Sequence, residues 1–173
     1  MPVNLEIKAH IPNLCSAEKI AIEIGAHKAG VLIQTDTYFN SANGRLKLRE
    51  FPDKNAELIF YKRDEDSIQR ASNYSIYKTI DSSGLKEILT ASYGIRAVIE
   101  KRRMLYLFGA TRVHLDEVKG LGSFIEFEIP IISDDQAARE QMNFLIDRFR
   151  LLPDQFITKS YIDLMLLKPE QVS

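Results

Sequence analysis

Charged side chains occupy every second position in short segments along the whole chain, and this alternation constrains the fold more than any other feature. The segments are Glu6/Lys8, Arg45/Lys47/Arg49, Lys101/Arg103, Arg112/His114/Asp116 and Glu126/Glu128. Alternate side chains of a β-strand point to the same face, so each segment directs its charges one way, while the residues between them are mostly apolar. The pattern predicts a closed sheet with a charged interior, where cations face a polyanion and carboxylates face a metal ion.

Turn and helix signals divide the chain into about eight strands, joined mainly by hairpins, and three or four helices. Asn43-Gly44 is a strong hairpin signal, and Gly109-Ala110 predicts a tight turn into a strand over Thr111–Val118. Helices are expected over residues 16–24, with Ser16 as N-cap, and over 82–93, 133–149 and 158–167. The fold class is therefore α+β, with a closed antiparallel β-barrel and flanking helices, and residues 1–173 are expected to form a single domain.

The net charge, the cysteine content and the hydropathy of the chain limit which partners and which cellular compartment are expected. The net charge of −1 does not favour a nucleic-acid-binding protein, which usually carries a basic excess. Cys15 is the only cysteine, which excludes an internal disulfide and a cysteine-rich zinc site. No apolar run approaches the roughly 18 residues that span a bilayer, and the first residues lack a secretion signal. We expect a cytoplasmic protein, monomeric or homodimeric, without nucleic-acid or membrane partners.

A closed barrel with inward charges would bury a large set of cations. They are Lys8, Lys47, Arg49, Arg63, Lys101, Arg103 and Arg112. Isolated buried charges cost several kcal/mol each, so the set needs counter-charges. These can come partly from Glu6, Asp36, Asp116, Glu126 and Glu128. The remaining balance calls for water and a multiply charged anion; the planar fork of arginine suits phosphate.

The carboxylates also suggest a metal site. Glu126 and Glu128 share one strand face, and Glu6 of the first strand adds a third hard oxygen donor suited to Mg²⁺ or Mn²⁺. His114 could act as a base, as a metal ligand or as a neutral, hydrogen-bonded side chain. A simpler alternative stays open on spacing alone, because surface strands also alternate and often pair Lys with Glu across a wet face.

The strand motifs resemble those of the CYTH superfamily, the triphosphate tunnel metalloenzymes. This superfamily includes class IV adenylyl cyclases, thiamine triphosphatase and inorganic triphosphatases. The matching segments are Asn4-Leu5-Glu6-Ile7-Lys8 (E-x-E-x-K), Gln34-Thr35-Asp36-Thr37-Tyr38 (Q-x-D-x-Y), Leu46-Lys47-Leu48-Arg49 (L-R-x-R), Lys101-x-Arg103 (K-x-R) and Gly122-x-Phe124-x-Glu126-x-Glu128 (G-x-F-x-E-x-E). The resemblance covers most of the chain, with a weaker tail through Tyr161.

The resemblance implies a tunnel that binds a small-molecule triphosphate with Mg²⁺ or Mn²⁺. Phosphate-binding residues would be Lys8, Lys47, Arg49, Arg63, Lys101, Arg103 and Arg112, and the catalytic residues among them Lys8, Arg49, Lys101 and Arg103. The implied metal ligands are Glu6 and Glu126, followed by Glu128 and Asp116. Asn4 stands where the motif has its first Glu, which removes one negative charge from the metal site.

Three functions follow from this resemblance. The first is hydrolysis of a nucleoside, thiamine or inorganic triphosphate, and the second is cyclisation of ATP to cyclic AMP and pyrophosphate. The third is a non-catalytic module that binds polyphosphate, in which Asn4 marks the loss of a catalytic acid. The polar segment 64–73 and the last helix are expected to lie where they can close the tunnel mouth.

Overall fold

The computed structural model describes residues 3–63, 68, 70–131 and 135–167. Eight strands form one closed ring in which neighbouring strands are antiparallel. The strands are β1 (Val3–His10), β2 (His27–Phe39), β3 (Arg45–Glu50), β4 (Ala56–Arg63), β5 (Arg70–Thr79), β6 (Ile95–Phe108), β7 (Thr111–Val118) and β8 (Gly122–Pro130). Their order around the ring is β1-β5-β4-β3-β2-β6-β7-β8. The predicted closed barrel is confirmed.

Four helices accompany the ring within the described residues, so the α+β class is also confirmed. They are α1 (Leu14–Glu23), α2 (Ser82–Tyr93), α3 (Asp135–Arg148) and α4 (Tyr161–Leu166). The expected Ser16 N-cap is wrong: Asn13 caps α1, and its side-chain oxygen accepts from the Ser16 backbone N–H at 3.0 Å. Asn13 is as well suited to a cap as Ser16, and the helix begins at Leu14, two residues before the predicted start. The first residues of the predicted 133–149 helix lie outside the described residues.

The barrel has a polar interior and an apolar outer face on one side. Along β1 the odd-numbered residues Leu5 and Ile7 point outward and are almost fully buried. They belong to the main core, in which α1 and α3 cover β1, β7 and β8. A smaller core under α2 contains Leu48 and Leu89. Because the helices supply the apolar burial outside the ring, the even-numbered positions of β1 are left to line the inside.

The Asn43-Gly44 signal correctly placed the hairpin between β2 and β3. Gly44 has φ of +73°, and a Cβ there would lie 2.8 Å from the carbonyl oxygen of Tyr61. Glycine is therefore required both by backbone conformation and by the close approach of β4. The hairpin aligns Tyr38 with Lys47 across β2 and β3.

Helix α4 lies against one end of the ring. Ser160 caps it, and Tyr161 and Ile162 are buried in a cluster with Phe124. The segment before α4 is anchored by the Ile157 N–H, which donates to the Lys8 carbonyl oxygen at 2.9 Å. The helix was predicted to begin at residue 158 but begins at Tyr161.

Strand β5 begins at Arg70, so the predicted long loop over 64–73 is shorter than expected. Positions 64–67 and 69 of that loop lie outside the described residues. A search of the described helices for one both long and apolar enough to cross a bilayer returned no candidate.

Candidate active site

The inward faces of the strands enclose a cavity of about 490 Å³. The sequence-predicted residues that line it are Glu6, Lys8, Lys47, Arg49, Lys101, Arg103, Arg112, Glu126 and Glu128. The side chains come from β1, β3, β6, β7 and β8, so residues distant in sequence meet in one space. Lys8 and Lys101 are 3% and 5% exposed. These lysines do not belong to wet surface strands, so the alternative of simple surface salt bridges is wrong for them.

Three cations converge on the single carboxylate of Asp36. The Nζ atoms of Lys47 and Lys101 donate to Oδ2 at 2.8 and 3.0 Å. Arg49 donates from Nε to Oδ1 at 2.8 Å and from Nη2 to Oδ2 at 2.9 Å. The register explains the meeting, because β2 lies between β3 and β6 and pairs with both. One carboxylate balances only part of three positive charges, which leaves a positive region in the cavity wall.

The ionisation of this cluster follows from its burial. Burial alone would raise the pKa of Asp36, but Arg49, Lys101 and Lys47 outweigh it and hold that pKa well below its usual range. Burial lowers the pKa of Lys101 to about 7, helped by Arg49 and opposed by Asp36. An added polyanion near Lys101 would favour its charged form. Binding of such an anion is therefore coupled to protonation of Lys101 near neutral pH.

Arg103 occupies a second ion-pair cluster on the neighbouring wall. It donates from Nε and Nη2 to the two oxygens of Asp116 at 2.7 and 2.6 Å, and from Nη2 to Glu126 at 3.3 Å. The hydroxyl group of Tyr161 donates to Asp116 at 2.8 Å. Both Asp116 oxygens are thus occupied by protein donors, and Asp116 is fully buried behind Arg103.

Lys8 links the positive region to the carboxylates. Its Nζ lies 3.7 Å from Glu126 Oε2 and 4.0 Å from the ring centroid of Tyr161. Burial would raise the pKa of Glu126, but Lys8 and then Arg103 lower it well below its usual range. Glu126 therefore stays ionised while remaining only 8% exposed.

Three side chains that include Glu126 form a group that can hold a metal ion. One ligand atom each from His114, Glu126 and Glu128 lies within 4.8 Å of the other two. His114 is 4% exposed, and its Nδ1 has no hydrogen-bond partner among the described residues. Burial, then Arg103, lowers the pKa of His114 to about 4, so the imidazole is neutral near pH 7 and can coordinate a cation. Glu6 lies directly across β1 and β8 from Glu128. The donor set fits a divalent ion.

The two remaining predicted cations differ from the others. Arg112 pairs with Glu128 at 2.8 Å from Nε, and its side chain is 33% exposed, which places it at the rim of the cavity. Arg63 is the last residue of β4 and pairs with Ser72 in the β4–β5 register. The side chain of Arg63 lies outside the described residues.

Gln34 and Tyr161 are among the cavity-lining residues to which sequence reasoning assigned no binding or catalytic role. Gln34 is 2% exposed, and its Oε1 has no hydrogen-bond partner among the described residues. Gln34 lies two residues before Asp36 in β2, so strand alternation could have predicted that its side chain points into the barrel. The ring of Tyr161 lies under Lys8 and Lys101, but only the tertiary position of α4 brings it there. Asn4, whose departure from the motif was noted, lines the same cavity at 3% exposure.

Comparisons with known proteins agree with this architecture. The family model described as the CYTH domain matches residues 3–161. A relative from Methanocaldococcus jannaschii, named "Putative adenylate cyclase MJ0240", is 25% identical and covers 94% of this chain and 98% of its own length.

Two solved structures have the same fold at low identity. The PH1012 protein of Pyrococcus horikoshii OT3 aligns with a TM-score of 0.83 at 20% identity, covering 93% of this chain and 98% of its own. The Hippeastrum protein HpAC1, described as a putative adenylyl cyclase with a dominant triphosphatase activity, aligns with a TM-score of 0.66 at 10% identity, covering 96% and 95%. Because the family model spans residues 3–161, a range that contains all of the described strands, the chain belongs to the CYTH domain family.

Proposed function

We propose that this protein is a divalent-metal-dependent triphosphatase that hydrolyses the terminal phosphate of a triphosphate inside the barrel. The observation that carries the proposal is the convergence of Lys47, Arg49 and Lys101 on the single carboxylate of Asp36, beside a separate carboxylate and imidazole group. The first cluster has a surplus of cations for phosphate oxygens. The second has the donors that a divalent ion prefers.

The metal ligands in this proposal are Glu126, Glu128 and His114, with Glu6 across from Glu128. Asp116 was expected among the ligands, but both of its oxygens accept from Arg103. We assign Asp116 the role of orienting Arg103 toward the phosphates. The bound ion would polarise phosphate oxygens and lower the pKa of an attacking water. An imidazole ligand favours Mn²⁺ over Mg²⁺, which prefers oxygen donors alone.

The protein's own residues position the substrate and stabilise charge. Lys8, Arg49, Lys101 and Arg103 would bind the phosphate oxygens, and Lys47 and Arg112 would extend the contact. Water attacks the terminal phosphorus, the bond to the bridging oxygen breaks, and phosphate and a diphosphate leave. Cations held in place before the substrate arrives stabilise the charge that develops on the leaving oxygen.

The direct test is incubation with ATP, thiamine triphosphate or inorganic triphosphate, each with Mg²⁺ or Mn²⁺, followed by measurement of phosphate and cyclic AMP. We expect phosphate release, faster with Mn²⁺. Glu126→Gln should reduce the rate by at least about a hundredfold, because it removes a charged ligand. The matched control is Glu117→Gln, since Glu117 is exposed on β7. Unchanged activity in Glu126→Gln would contradict the metal assignment.

A second candidate is cyclisation of ATP by attack of the ribose 3′-hydroxyl on the α-phosphorus, with release of pyrophosphate. It is favoured by the name of the Methanocaldococcus jannaschii relative, which is similar over nearly its whole length. Cyclic AMP without phosphate would favour this candidate over the triphosphatase. Tight triphosphate binding in calorimetry with no turnover in either metal would contradict both enzymes and favour the non-catalytic module, for which Asn4 is the sequence argument.

A further inference from the structure

The barrel wall has a gap beside the tunnel. Strand β3 ends at Glu50 and pairs with β2 only over Thr35–Phe39. The first part of β2, from His27 to Gln34, therefore pairs only with β6 within the described chain. On the other side of the gap lie the start of β4 and the end of β5, so the space opens between two separated strand edges.

A groove of about 950 Å³ occupies this gap. Its lining is largely apolar and includes Val31, Ile33, Phe51, Tyr77 and Ile80. Several of these side chains are unusually open to solvent for their type: Tyr77 is 66% and Ile80 82% exposed. A contiguous exposed apolar surface of this kind is typical of a binding site rather than of a random surface.

The groove adjoins the tunnel cavity. Leu32, Phe51 and Glu57 line both spaces, at the place where β3 has ended. The shared lining favours one bipartite ligand, with its phosphates among the tunnel cations and an uncharged part in the groove, over two unrelated ligands.

The groove chemistry indicates what that second part is. Phe51 and Tyr77 offer aromatic surfaces, on which a flat heterocycle can stack. At the boundary of the two spaces, Glu57 has no hydrogen-bond or ion-pair partner among the described residues, although it stands opposite Arg49 in the register. A carboxylate accepts hydrogen bonds from hydroxyl groups. Between phosphates and an aromatic base, the hydroxyl-bearing part of a nucleotide is the ribose.

We propose that the groove is a nucleoside subsite: the base stacks against Tyr77 and Phe51, and Glu57 accepts hydrogen bonds from the ribose hydroxyls. The inference rests on the proposed function, because it requires the triphosphate to lie in the tunnel. It goes further by selecting a nucleoside triphosphate over inorganic triphosphate, which would leave the groove empty.

The test compares two substrates on groove variants. Tyr77→Ala is the main variant, because Tyr77 lines the groove only and is exposed, so its removal spares the core. The matched control is Tyr93→Ala, which removes another exposed tyrosine, at the end of α2. Rates at low substrate concentration give kcat/KM for ATP and for inorganic triphosphate, and equilibrium dialysis gives the Kd of a non-hydrolysable ATP analogue.

We expect Tyr77→Ala to lower kcat/KM for ATP about five- to one-hundred-fold, the range for loss of one base–aromatic stack. The Kd of the non-hydrolysable ATP analogue should rise by the same factor. The kcat/KM of Tyr77→Ala for inorganic triphosphate should change less than about twofold. Glu57→Gln should behave in the same way and should reduce the preference for ATP over its 2′,3′-dideoxy form. Tyr93→Ala should change neither substrate.

Three results would overturn the subsite. Equal loss for both substrates would mean that the variants act through the barrel, and no loss for either would mean that the groove is not used. If a groove variant differs from wild type in the mass measured by sedimentation, but hydrolyses both substrates at the wild-type rate, the groove is an interface between two copies of the chain. Failure of the wild-type protein to hydrolyse any of ATP, thiamine triphosphate and inorganic triphosphate is a separate result, and it would overturn the proposed function itself.

Discussion

Replacement of Asp36 by Asn tests whether one buried carboxylate holds the positive half of the cavity together. Asp36 is 1% exposed and accepts four hydrogen bonds from Lys47, Arg49 and Lys101, at 2.8 to 3.0 Å. Asparagine has nearly the same shape, so the change removes the charge and little else. Three buried cations then face one another without a counter-charge.

The expected cost is large. Removing one partner of a buried ion pair costs about 3–5 kcal/mol, because the other charge stays buried. In a protein of this size each kcal/mol lowers Tm by about 2–4 °C, so Asp36→Asn should melt about 6–20 °C below wild type. Lys101 can relieve part of this cost by losing its proton, since its pKa is already about 7 with Asp36 present. Removal of Asp36 lowers that pKa further.

The sign of the pH dependence follows from linkage. Between the lowered pKa of Lys101 in the folded variant and the ordinary lysine value of about 10.4, the unfolded chain binds more protons than the folded one. The stability of Asp36→Asn should therefore rise with pH in this window, whereas the same gain in wild type begins only near its Lys101 pKa of about 7. The deficit of the variant should therefore be smaller at pH 9 than at pH 6. Inorganic triphosphate should raise the Tm of the variant more than that of wild type, because the anion supplies the missing charge.

The assay is thermal and urea unfolding at pH 6 and pH 9, with and without inorganic triphosphate. The control is Asp135→Asn, which breaks an exposed pair with Arg139 on α3 and should cost less than about 0.5 kcal/mol. A Tm of Asp36→Asn within about 2 °C of wild type at pH 6 would refute the reasoning, because it would mean that the cations do not depend on Asp36. So would a deficit that grows with pH.

Three further predictions concern the tunnel and helix α4. Triphosphate affinity should fall about fivefold from pH 7 to pH 8, because Lys101 has a pKa of about 7 in the free protein and must be protonated on binding; calorimetry should find proton uptake, absent in Lys101→Met. Tyr161→Phe should lower the free energy of unfolding by about 1.5–3 kcal/mol, since it removes the donor to the buried Asp116; a loss below 0.5 kcal/mol in urea unfolding would contradict this. Arg45 and Asp163 form a two-point ion pair at 2.9 and 2.8 Å, so the Arg45→Met and Asp163→Asn double-mutant cycle should give a coupling of about 1–2 kcal/mol; additive effects would contradict it.

The sequence predicted the interior of the barrel well, because the period of a strand is local information. The strand over Thr111–Val118 was predicted with the observed boundaries, and parity correctly placed Lys8 and Lys101 inside. Such predictions need only the spacing of neighbouring residues and a closed sheet. They do not depend on which strands are adjacent.

Strand periodicity could not predict which interior side chains contact one another. Asp36 meets Lys101 because β2 and β6 are neighbours, although they lie far apart in the chain. Parity placed Asp116 inside the barrel as a counter-charge, and the resemblance implied a metal ligand, but neither identified its partner, which the β6–β7 register places opposite as Arg103. Tyr161 reaches the cavity only because of where α4 packs. The amphipathic pattern of a helix does not predict which surface of the barrel the helix packs against.

The two clusters together explain how the tunnel can work with Asn4 in place of an acid. Around Asp36, cations exceed carboxylates. Elsewhere in the cavity, ligand atoms of His114, Glu126 and Glu128 lie within 4.8 Å of one another, and Glu6 stands opposite Glu128 in the β1–β8 register. A free triphosphate would match the first region and be repelled by the second; a free divalent ion would do the reverse. Their complex matches both, so each component should bind more tightly when the other is present. In the proposed site, His114 would supply a neutral donor on the acidic side and so add a ligand without restoring the negative charge that is missing at Asn4, and one bound ion would join the two halves.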